Sequence, residues 1–311
     1  MGFNSGGREE RTYYNTQSLN LGVLFSNENP YEIAKVVSEG PADYSSKNIR
    51  KGDIITSING MEVDSKMNRE YYLAQPSVDE EITLGIKRGK ENLTVKVHPS
   101  SMGALRGNLY DEWIANNQSK VDKATNEQVA YVHMKNMSTG SLEDFLIEMT
   151  SEGHNRNGLI LDLRYNTGGN VHDEVLKFLS QKPYLQWKFR EGKLTTQGNF
   201  GAGAKPMVLL INEQSLSDAE MTAAGFKELG LGKIIGTETY RWIIFTSSAG
   251  LVDGSSYRLP SWGCYTMDGK NLESEGVSPD ILVNMDFKDR INGRDPQLNR
   301  AIEEVMKQLK N

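Results

Sequence analysis

Two kinds of hydrophobic pattern divide the chain. Over residues 19–98, short apolar runs alternate with polar residues at every second position, and Gly, Pro and Asn turns separate them, which predicts a small β-rich module. From about Val129 onward, continuous apolar runs such as 159–163 and Met207–Ile211 alternate with helical patterns. Continuous runs are typical of strands that are buried on both faces, so this part predicts a layered α/β core with a largely parallel sheet.

The same patterns set the expected domain boundaries. We expect an N-terminal arm over 1–18, the β-rich module over 19–98, a helical connector over 99–128, and the α/β core with a closing C-terminal helix over 129–311. In the connector, apolar residues at helical spacing predict an amphipathic helix within 108–120. In the core, Ser141 and Ser217 are each expected to begin a helix, and the glycine-rich stretch 198–205 is expected to be a loop.

Composition narrows the classes of function. A length of 311 residues favours two domains, and a formal charge of −6 argues against a nucleic-acid-binding surface. The single cysteine, Cys264, excludes an internal disulfide, and no His, Cys and carboxylate spacing fits a metal, so we expect neither metal nor cofactor.

No apolar run approaches the length of a membrane span, and the polar N-terminus lacks a signal-peptide core. We expect this N-terminus to be the cut end of a longer protein. The compartment stays open between the cytoplasm and, if an upstream signal was removed, the periplasm or the exterior.

Candidate chemistry lies at two strand-to-helix junctions. The pair Gly168-Gly169 follows one buried run, and the segment from Ser215 to Asp218 follows the next. Glycines and helix N-termini expose backbone N–H groups that can hold an oxyanion, and a serine hydroxyl at such a place can attack a carbonyl carbon. Ser217 and Glu220 also fit a capping box, so the residues alone leave open whether Ser217 caps its helix or reacts.

The β-rich module resembles a PDZ domain. The resemblance depends on the order of Leu21-Gly22-Val23, Gly40-Pro41-Ala42, the stretch 49–55 and Ile58-Asn59-Gly60. It implies that a peptide terminus adds to the module as a strand, with backbone amides at Leu21, Gly22 and Val23 holding its carboxylate. A module that only spaces other parts is the alternative.

Four segments in order resemble the tail-specific serine peptidases, which comprise the C-terminal processing peptidases and the tricorn protease core. They are residues 162–169, Ser217 at a helix start, residues 229–237, and Gly276 to Asp280. The resemblance implies a multidomain α+β protein, with a small PDZ domain followed by a layered α/β core of the ClpP and crotonase type. It implies hydrolysis of peptides, or of C-terminal regions of unfolded proteins, through an acyl-enzyme. A catalytically silent peptide-binding relative and a crotonase-like enzyme acting on acyl thioesters are the alternatives.

Within this resemblance, Trp242 stands where C-terminal processing peptidases carry the lysine of a Ser–Lys dyad, so the chain looks like tricorn. Tricorn-type enzymes use Ser, His and Glu. The implied nucleophile is Ser217, the implied oxyanion donors are the amides of Gly169 first, Gly168 and Asp218, and Glu273 would orient the histidine, with Glu275 as its competitor.

The implied histidine is missing from its place. Tricorn-type enzymes carry it in a Ser-His pair ahead of the PDZ domain, where this chain has Ser5-Gly6-Gly7. The four histidines, His98, His133, His154 and His172, all lie elsewhere, and His172 is nearest to the glycine pair in sequence. We therefore expect that a segment with the base was removed. Supply of the base by another chain, and a protein that is not a peptidase, are the alternatives. The expected partner is a peptide or an unfolded protein, and a homo-oligomer is left open.

Overall fold

The computed structural model describes residues 3–4, 17–75, 80–196 and 205–310. Residues 9–116 form one compact unit, and residues 1–8 together with 117–311 form another. Ser5, most of the predicted N-terminal arm and nearly all of the glycine-rich stretch 198–205 lie outside the described residues.

The strands in chain order are β1 (Phe3–Asn4), β2 (Gln17–Asn20), β3 (Val23–Phe25), β4 (Ile33–Val36), β5 (Ile54–Ile58), β6 (Met61–Glu62), β7 (Ala74–Gln75), β8 (Ile82–Arg88), β9 (Glu91–Val97), β10 (Ser100–Ser101), β11 (Val129–His133), β12 (Gly158–Asp162), β13 (Gln186–Lys188), β14 (Leu194–Thr196), β15 (Met207–Ile211), β16 (Lys233–Gly236), β17 (Phe245–Gly250), β18 (Ser256–Trp262) and β19 (Ile281–Leu282). The helices are α1 (Glu70–Leu73), α2 (Met102–Thr125), α3 (Thr139–Thr150), α4 (Glu152–Asn155), α5 (His172–Ser180), α6 (Asp218–Glu228), α7 (Leu272–Glu275), α8 (Phe287–Ile291) and α9 (Pro296–Gln308).

The first unit is built from short antiparallel strands. Its largest sheet has the order β6-β5-β8-β9, and the strands β3 and β4 form a separate pair. Ile82, Leu84 and Ile86 of β8 are buried, while the residues between them are not fully buried. The predicted alternation of the β-rich module is therefore confirmed, and the apolar face of this sheet covers one core.

The connector helix is longer than the sequence pattern predicts. Helix α2 begins six residues before the expected start and ends five residues after the expected end. The Ser101 hydroxyl accepts the N–H of Ala104 at 3.1 Å and so supports the earlier start. At the other end the helix stops before Asn126, whose positive φ of 49° leaves the helical region. The prediction within 108–120 missed both ends because it followed the apolar residues alone.

The second unit contains the predicted parallel sheet. Its order is β11-β12-β15-β16-β19, and all of its neighbouring strands are parallel. Strands β12 and β15 are buried at every position. Helix α9 packs against β12, β15 and β16, whereas α3 packs against β11 and α6 against β15. The α+β class with a layered, parallel core is confirmed.

Helix α3 corrects one predicted cap. Ser138, not Ser141, is the N-cap residue, and its hydroxyl accepts the N–H of Ser141 at 3.3 Å. Ser141 lies in the first turn and donates its own hydroxyl to Asn136 at 2.8 Å. The prediction was wrong by one turn because both serines precede the same apolar face.

A buried polar network fixes the end of β12. Arg164 is fully buried and contacts Asp162 at 2.6 Å and Asp295 at 2.9 Å. Burial alone would raise the pKa of Asp162, but the charge and hydrogen bonds of Arg164 hold it below its usual value. Tyr131 donates its hydroxyl to the same carboxylate at 2.8 Å. This network sets the direction in which the chain leaves β12 toward the glycine pair.

An antiparallel sheet of order β1-β18-β17 completes the described part of this unit, together with the hairpin β13–β14. The hairpin β17–β18 was not predicted, because its side chains are mostly exposed and give no apolar alternation. None of the described helices is both long enough and apolar enough to cross a membrane.

Candidate active site

Ser217 lies at the turn between β15 and α6 in a conformation that is rare for its residue type. Its backbone has φ 51° and ψ −112°. These values match the first central position of a type II′ turn, which glycine normally occupies. A non-glycine residue held in such a region costs about 1–3 kcal/mol and persists only where the surroundings enforce it.

This conformation helps to decide whether Ser217 only caps helix α6 or also reacts. A serine that only caps a helix typically has an extended backbone at the N-cap position. Ser217 stands at the N-cap position of α6 with a different backbone, and the N–H of Glu220 donates to the Ser217 carbonyl oxygen at 2.8 Å. A sharp, strained strand-to-helix turn is the geometry that exposes a nucleophilic serine in α/β hydrolases.

Glu220 is the residue that enforces this turn. Its carboxylate is fully buried and accepts four donors. Oε1 accepts the N–H of Ser217 at 3.0 Å and the N–H of Trp242 at 2.8 Å. Oε2 accepts the hydroxyl of Thr239 at 2.5 Å and the N–H of Arg241 at 2.8 Å. One carboxylate therefore ties the start of α6 to the segment 239–242.

The glycine pair after β12 lies against Ser217. A Cβ atom on Gly168 would come within 2.8 Å of the Ser217 Cβ, and its φ of +80° also favours glycine. A Cβ atom on Gly169 would come within 2.0 Å of the Met137 carbonyl oxygen. Only glycines therefore fit here, and their turn and the Ser217 turn touch.

Asn166 holds the two turns together. Its backbone carbonyl accepts the N–H of Leu216 at 2.9 Å, and its side chain donates to the Met134 carbonyl at 2.7 Å. Its side-chain oxygen accepts the N–H of Gly168 at 2.9 Å. The amide of Gly168 is thus already engaged, and the structure does not favour it as an oxyanion donor.

The N–H groups of Gly169 and Asp218 are better candidates for oxyanion donors. The Met137–Gly169 bridge uses the Gly168 carbonyl and the Asn170 N–H, which leaves the N–H of Gly169 outside that pairing. Asp218 is the first residue of α6, and the N–H of a first helical residue has no partner within its own helix. Gly169 and Asp218 therefore remain the candidate pair of donors.

Ser217 and Gly169 line the same cleft, which has a volume of about 530 Å³. One part of its wall is apolar and is formed by Leu216, Trp242, Ile244 and Pro260. The remaining lining residues are Thr167, Thr246 and Arg258. Trp242 is half exposed, and no lysine lines the cleft. A Ser–Lys dyad is not assembled among the described residues.

The Asp218 carboxylate joins α6 to α5. It accepts the N–H groups of Val171 at 2.7 Å and His172 at 3.0 Å. The Nδ1 atom of His172 lies 2.5 Å from the Asp218 Oδ1 atom, and this contact raises the pKa of His172. His172 thus has a local structural partner in Asp218.

None of the four histidines lines the described cleft. The ring of His133 is buried 3.9 Å from Asp162, and burial lowers its pKa to about 4. His98 lies in the first unit, 4.0 Å from Glu81.

The comparisons with known proteins agree with this geometry. Residues 128–283 match the model of peptidase family S41, and residues 20–98 match the PDZ domain model. The chain belongs to peptidase family S41. The match begins at the start of the parallel sheet and includes both glycine and serine turns.

Tricorn proteases are among the relatives in this family. The chain is 26% identical to the tricorn protease of Thermoplasma acidophilum, covering 96% of the chain and 30% of that protein. It is 30% identical to the tricorn protease homolog of Saccharolobus solfataricus, covering 83% of the chain and 24% of that protein. A crystal structure of the tricorn protease superposes with a TM-score of 0.78 at 24% identity, covering 95% of this chain and 29% of the other. The chain thus spans about a third or less of these relatives.

Glu273, which the resemblance to tricorn-type enzymes implies as the residue that orients a histidine, is exposed on the short helix α7. Glu275 is exposed on the same helix. The helix ends at Glu275, and a Cβ atom on the following Gly276 would come within 3.0 Å of Arg241 and 3.1 Å of Thr239. The N–H of Val277 donates to the Thr239 hydroxyl at 2.8 Å, so the end of α7 is joined to the segment that Glu220 holds. The preference for Glu273 over Glu275 stays a prediction.

The predicted PDZ residues lie in the core of their unit. Leu21 and Val23 are almost fully buried. Gly22 has φ +74° and would clash with Pro41 if it carried a Cβ atom. Its N–H donates to the side-chain oxygen of Asn20 at 2.6 Å. One of the three expected amides is therefore already engaged.

Three site residues were missed by the sequence analysis. Asn166 belongs to the segment 162–169 that carries the resemblance, but the sequence assigned it no role. Glu220 was interpreted only as the capping-box partner of Ser217. Arg258 gave no signal, because it lies on a hairpin that was not predicted. The Ser-x-x-Glu spacing was the one available sign of Glu220, and it indicates a cap rather than contacts about twenty residues away.

Proposed function

We propose that this chain is a tricorn-like serine peptidase module that cleaves peptides, or C-terminal regions of unfolded proteins, through an acyl-enzyme on Ser217. The observation that carries the proposal is the strained turn of Ser217 beside Gly169 in one cleft. Membership of family S41 and similarity to tricorn proteases support the same reaction.

In the first step, the Ser217 Oγ atom attacks the peptide carbonyl carbon and its proton passes to a base. The N–H groups of Gly169 and Asp218 donate to the oxyanion, and each such donor contributes about 3–4 kcal/mol to the transition state. The C–N bond then breaks as the leaving nitrogen takes the proton from the base. Water hydrolyses the ester and restores the Ser217 hydroxyl.

The base in this scheme is an imidazole that the described cleft does not contain. The four histidines lie outside its lining, so the proposal requires a histidine from elsewhere, held by the carboxylate of Glu273. The position of α7 beside Thr239 and Arg241 supports Glu273 in this role.

The PDZ domain adds a second peptide contact in the proposal. Strand β3 pairs with β4 alone in the described sheets, and the proposal places a peptide strand along its other edge. Assembly into a homo-oligomer is a further part of the proposal, since a second copy is one source of the missing imidazole.

Labelling with a fluorophosphonate tests the nucleophile. The full chain is treated with the probe with and without added imidazole, and the modified residue is located by peptide mass spectrometry. We expect an adduct on Ser217 that increases with imidazole and is absent in Ser217→Ala. The control Ser180→Ala removes a hydroxyl that donates to the Lys177 carbonyl at 3.2 Å, and this variant should label normally.

The alternative is a catalytically silent relative that binds peptides. No adduct at any imidazole concentration, with an active serine hydrolase labelled in parallel, would establish this alternative. An adduct on another serine would also overturn the assignment.

A further inference from the structure

Arg258 is the charged residue in the lining of the described cleft. Among the described residues, the rest of the lining is neutral and none of it is acidic. The chain as a whole carries a formal charge of −6, so this local cation stands in an otherwise acidic protein. A fixed positive charge in a partly apolar cleft attracts a negatively charged group of a ligand.

The guanidinium of Arg258 is fixed by a neutral partner. Its Nε and Nη2 atoms lie 2.8 Å and 2.5 Å from the Thr246 hydroxyl oxygen. Guanidinium carries five N–H donors, so three remain after these two hydrogen bonds. The side chain is thus oriented without neutralisation of its charge.

Most other arginines of the same unit differ in this respect. Six of the eight arginines in residues 117–311 lie within 4 Å of a carboxylate among the described residues. Arg190 and Arg258 are the two without such a carboxylate in the described structure, and Arg190 does not line the cleft. Arg258 therefore combines an available charge with a place beside the candidate nucleophile.

The register of the hairpin locates this charge relative to Ser217. Thr246 is paired with Pro260, and Arg258 lies two residues from Pro260 on the same face of β18. The Trp242 amide shares the Glu220 carboxylate with Ser217, and the hairpin runs from Trp242 past Thr246 toward Arg258. A peptide bound at Ser217 would therefore meet Arg258 further along the cleft than its reacting bond.

We infer that Arg258 binds a carboxylate of the peptide in this cleft, either an acidic side chain or the terminal carboxylate. The inference rests on the proposed function, since it assumes that the cleft holds a peptide. Arginine suits this role because its fork matches both oxygens of a carboxylate. The cleft thus selects peptides with a negative charge some residues from the reacting bond.

Peptide binding, rather than cleavage, tests the inference. The full chain carrying Ser217→Ala is titrated against short dansyl peptides by fluorescence anisotropy. One series is amidated and carries Glu at a single position in an otherwise Gln-containing peptide, and another compares the free acid with the amide. We expect about tenfold tighter binding of the peptide with the preferred carboxylate.

The added substitution Arg258→Gln should abolish that preference, and Arg190→Gln is the matched control that should keep it. Loss of the Glu preference identifies a side-chain carboxylate, and loss of the free-acid preference identifies the terminus. The inference is overturned if the Glu preference and the free-acid preference both survive Arg258→Gln, or if no peptide binds. All binding measurements use Ser217→Ala, which does not need to react. The binding result can therefore be interpreted even if the wild-type chain fails to label with the fluorophosphonate.

Discussion

The Oε1 atom of Glu220 lies 3.0 Å from the backbone nitrogen of Ser217 and 2.8 Å from that of Trp242. Glu220, in the first turn of α6, thus accepts a hydrogen bond from the residue that precedes the helix. The other oxygen of the same carboxylate holds Thr239 and Arg241. The Glu220 carboxylate thus fixes both Ser217 and Trp242, and Trp242 is part of the apolar wall of the cleft.

Glu220→Gln should weaken both the fold and the Ser217 site. The amide nitrogen of glutamine donates rather than accepts, so at least one buried N–H loses its acceptor, at a cost of about 1–3 kcal/mol. We expect a lower urea midpoint together with reduced fluorophosphonate labelling of Ser217. Glu228→Gln, on the exposed end of the same helix, is the control and should change neither. Wild-type stability in Glu220→Gln would show that the carboxylate is dispensable.

The sequence was informative where burial was continuous. The residues of β12 and β15 are apolar at nearly every position, and only a strand covered on both faces requires this. The glycine pair was equally readable, because Gly168 and Gly169 each lack room for a Cβ atom. Strong local constraints of this kind leave a mark in the sequence.

Contacts between distant segments left no such mark. Glu220 meets Thr239 and Trp242 only because β16 returns the chain to the start of α6. Arg258 reaches the cleft because β18 pairs with β17, and the exposed faces of both strands carry little apolar patterning. The roles of Glu220 and Arg258 depend on which strands lie next to each other. The spacing of residues within one segment does not reveal this.

The glycines around Ser217 should differ sharply from a glycine in open space. Gly168→Ala places a methyl group 2.8 Å from the Ser217 Cβ atom, and Gly169→Ala places one 2.0 Å from a backbone oxygen. We expect Gly169→Ala to be the more destabilising, by several kcal/mol, since backbone cannot yield as a side chain can. Thermal unfolding followed by circular dichroism measures the order.

Gly107→Ala is the matched control. Gly107 lies within α2, and a Cβ atom added there would meet nothing within 4 Å apart from the adjacent backbone of its own helix. Alanine should therefore stabilise the helix by about 0.5–1 kcal/mol. Equal effects of the three substitutions would contradict the close approach of the two turns.

His133 should make stability fall in mild acid. Burial lowers its pKa from 6.5 to about 4 in the folded chain, so the unfolded chain binds the proton more readily. The contribution of neutral His133 to the free energy of unfolding is therefore complete above pH 6.5. It is lost as the pH falls toward 4, and the total loss is roughly 3 kcal/mol. His172 has the opposite sign, because Asp218 raises its pKa.

The measurement for His133 is the difference in urea midpoint between wild type and His133→Gln over this pH range. The gap should shrink as the pH falls, since glutamine does not titrate. His98→Gln, with a ring that is 69% exposed, should follow wild type at every pH. A constant gap between wild type and His133→Gln would rule out a depressed pKa.

Asn20 should restrain carboxylate binding by the PDZ domain. Its side-chain oxygen accepts the Gly22 N–H at 2.6 Å, and that amide is one of the three expected to hold a peptide terminus. In Asn20→Ala the N–H is released, so we expect about tenfold tighter binding of a free-acid peptide and a stability loss of about 1 kcal/mol. Anisotropy of a dansyl peptide, compared with its C-terminal amide, measures the gain. Asn29→Ala removes a similar local bond to the Tyr31 N–H and should leave affinity unchanged. If Asn20→Ala binds acid and amide equally, Gly22 takes no part in carboxylate recognition.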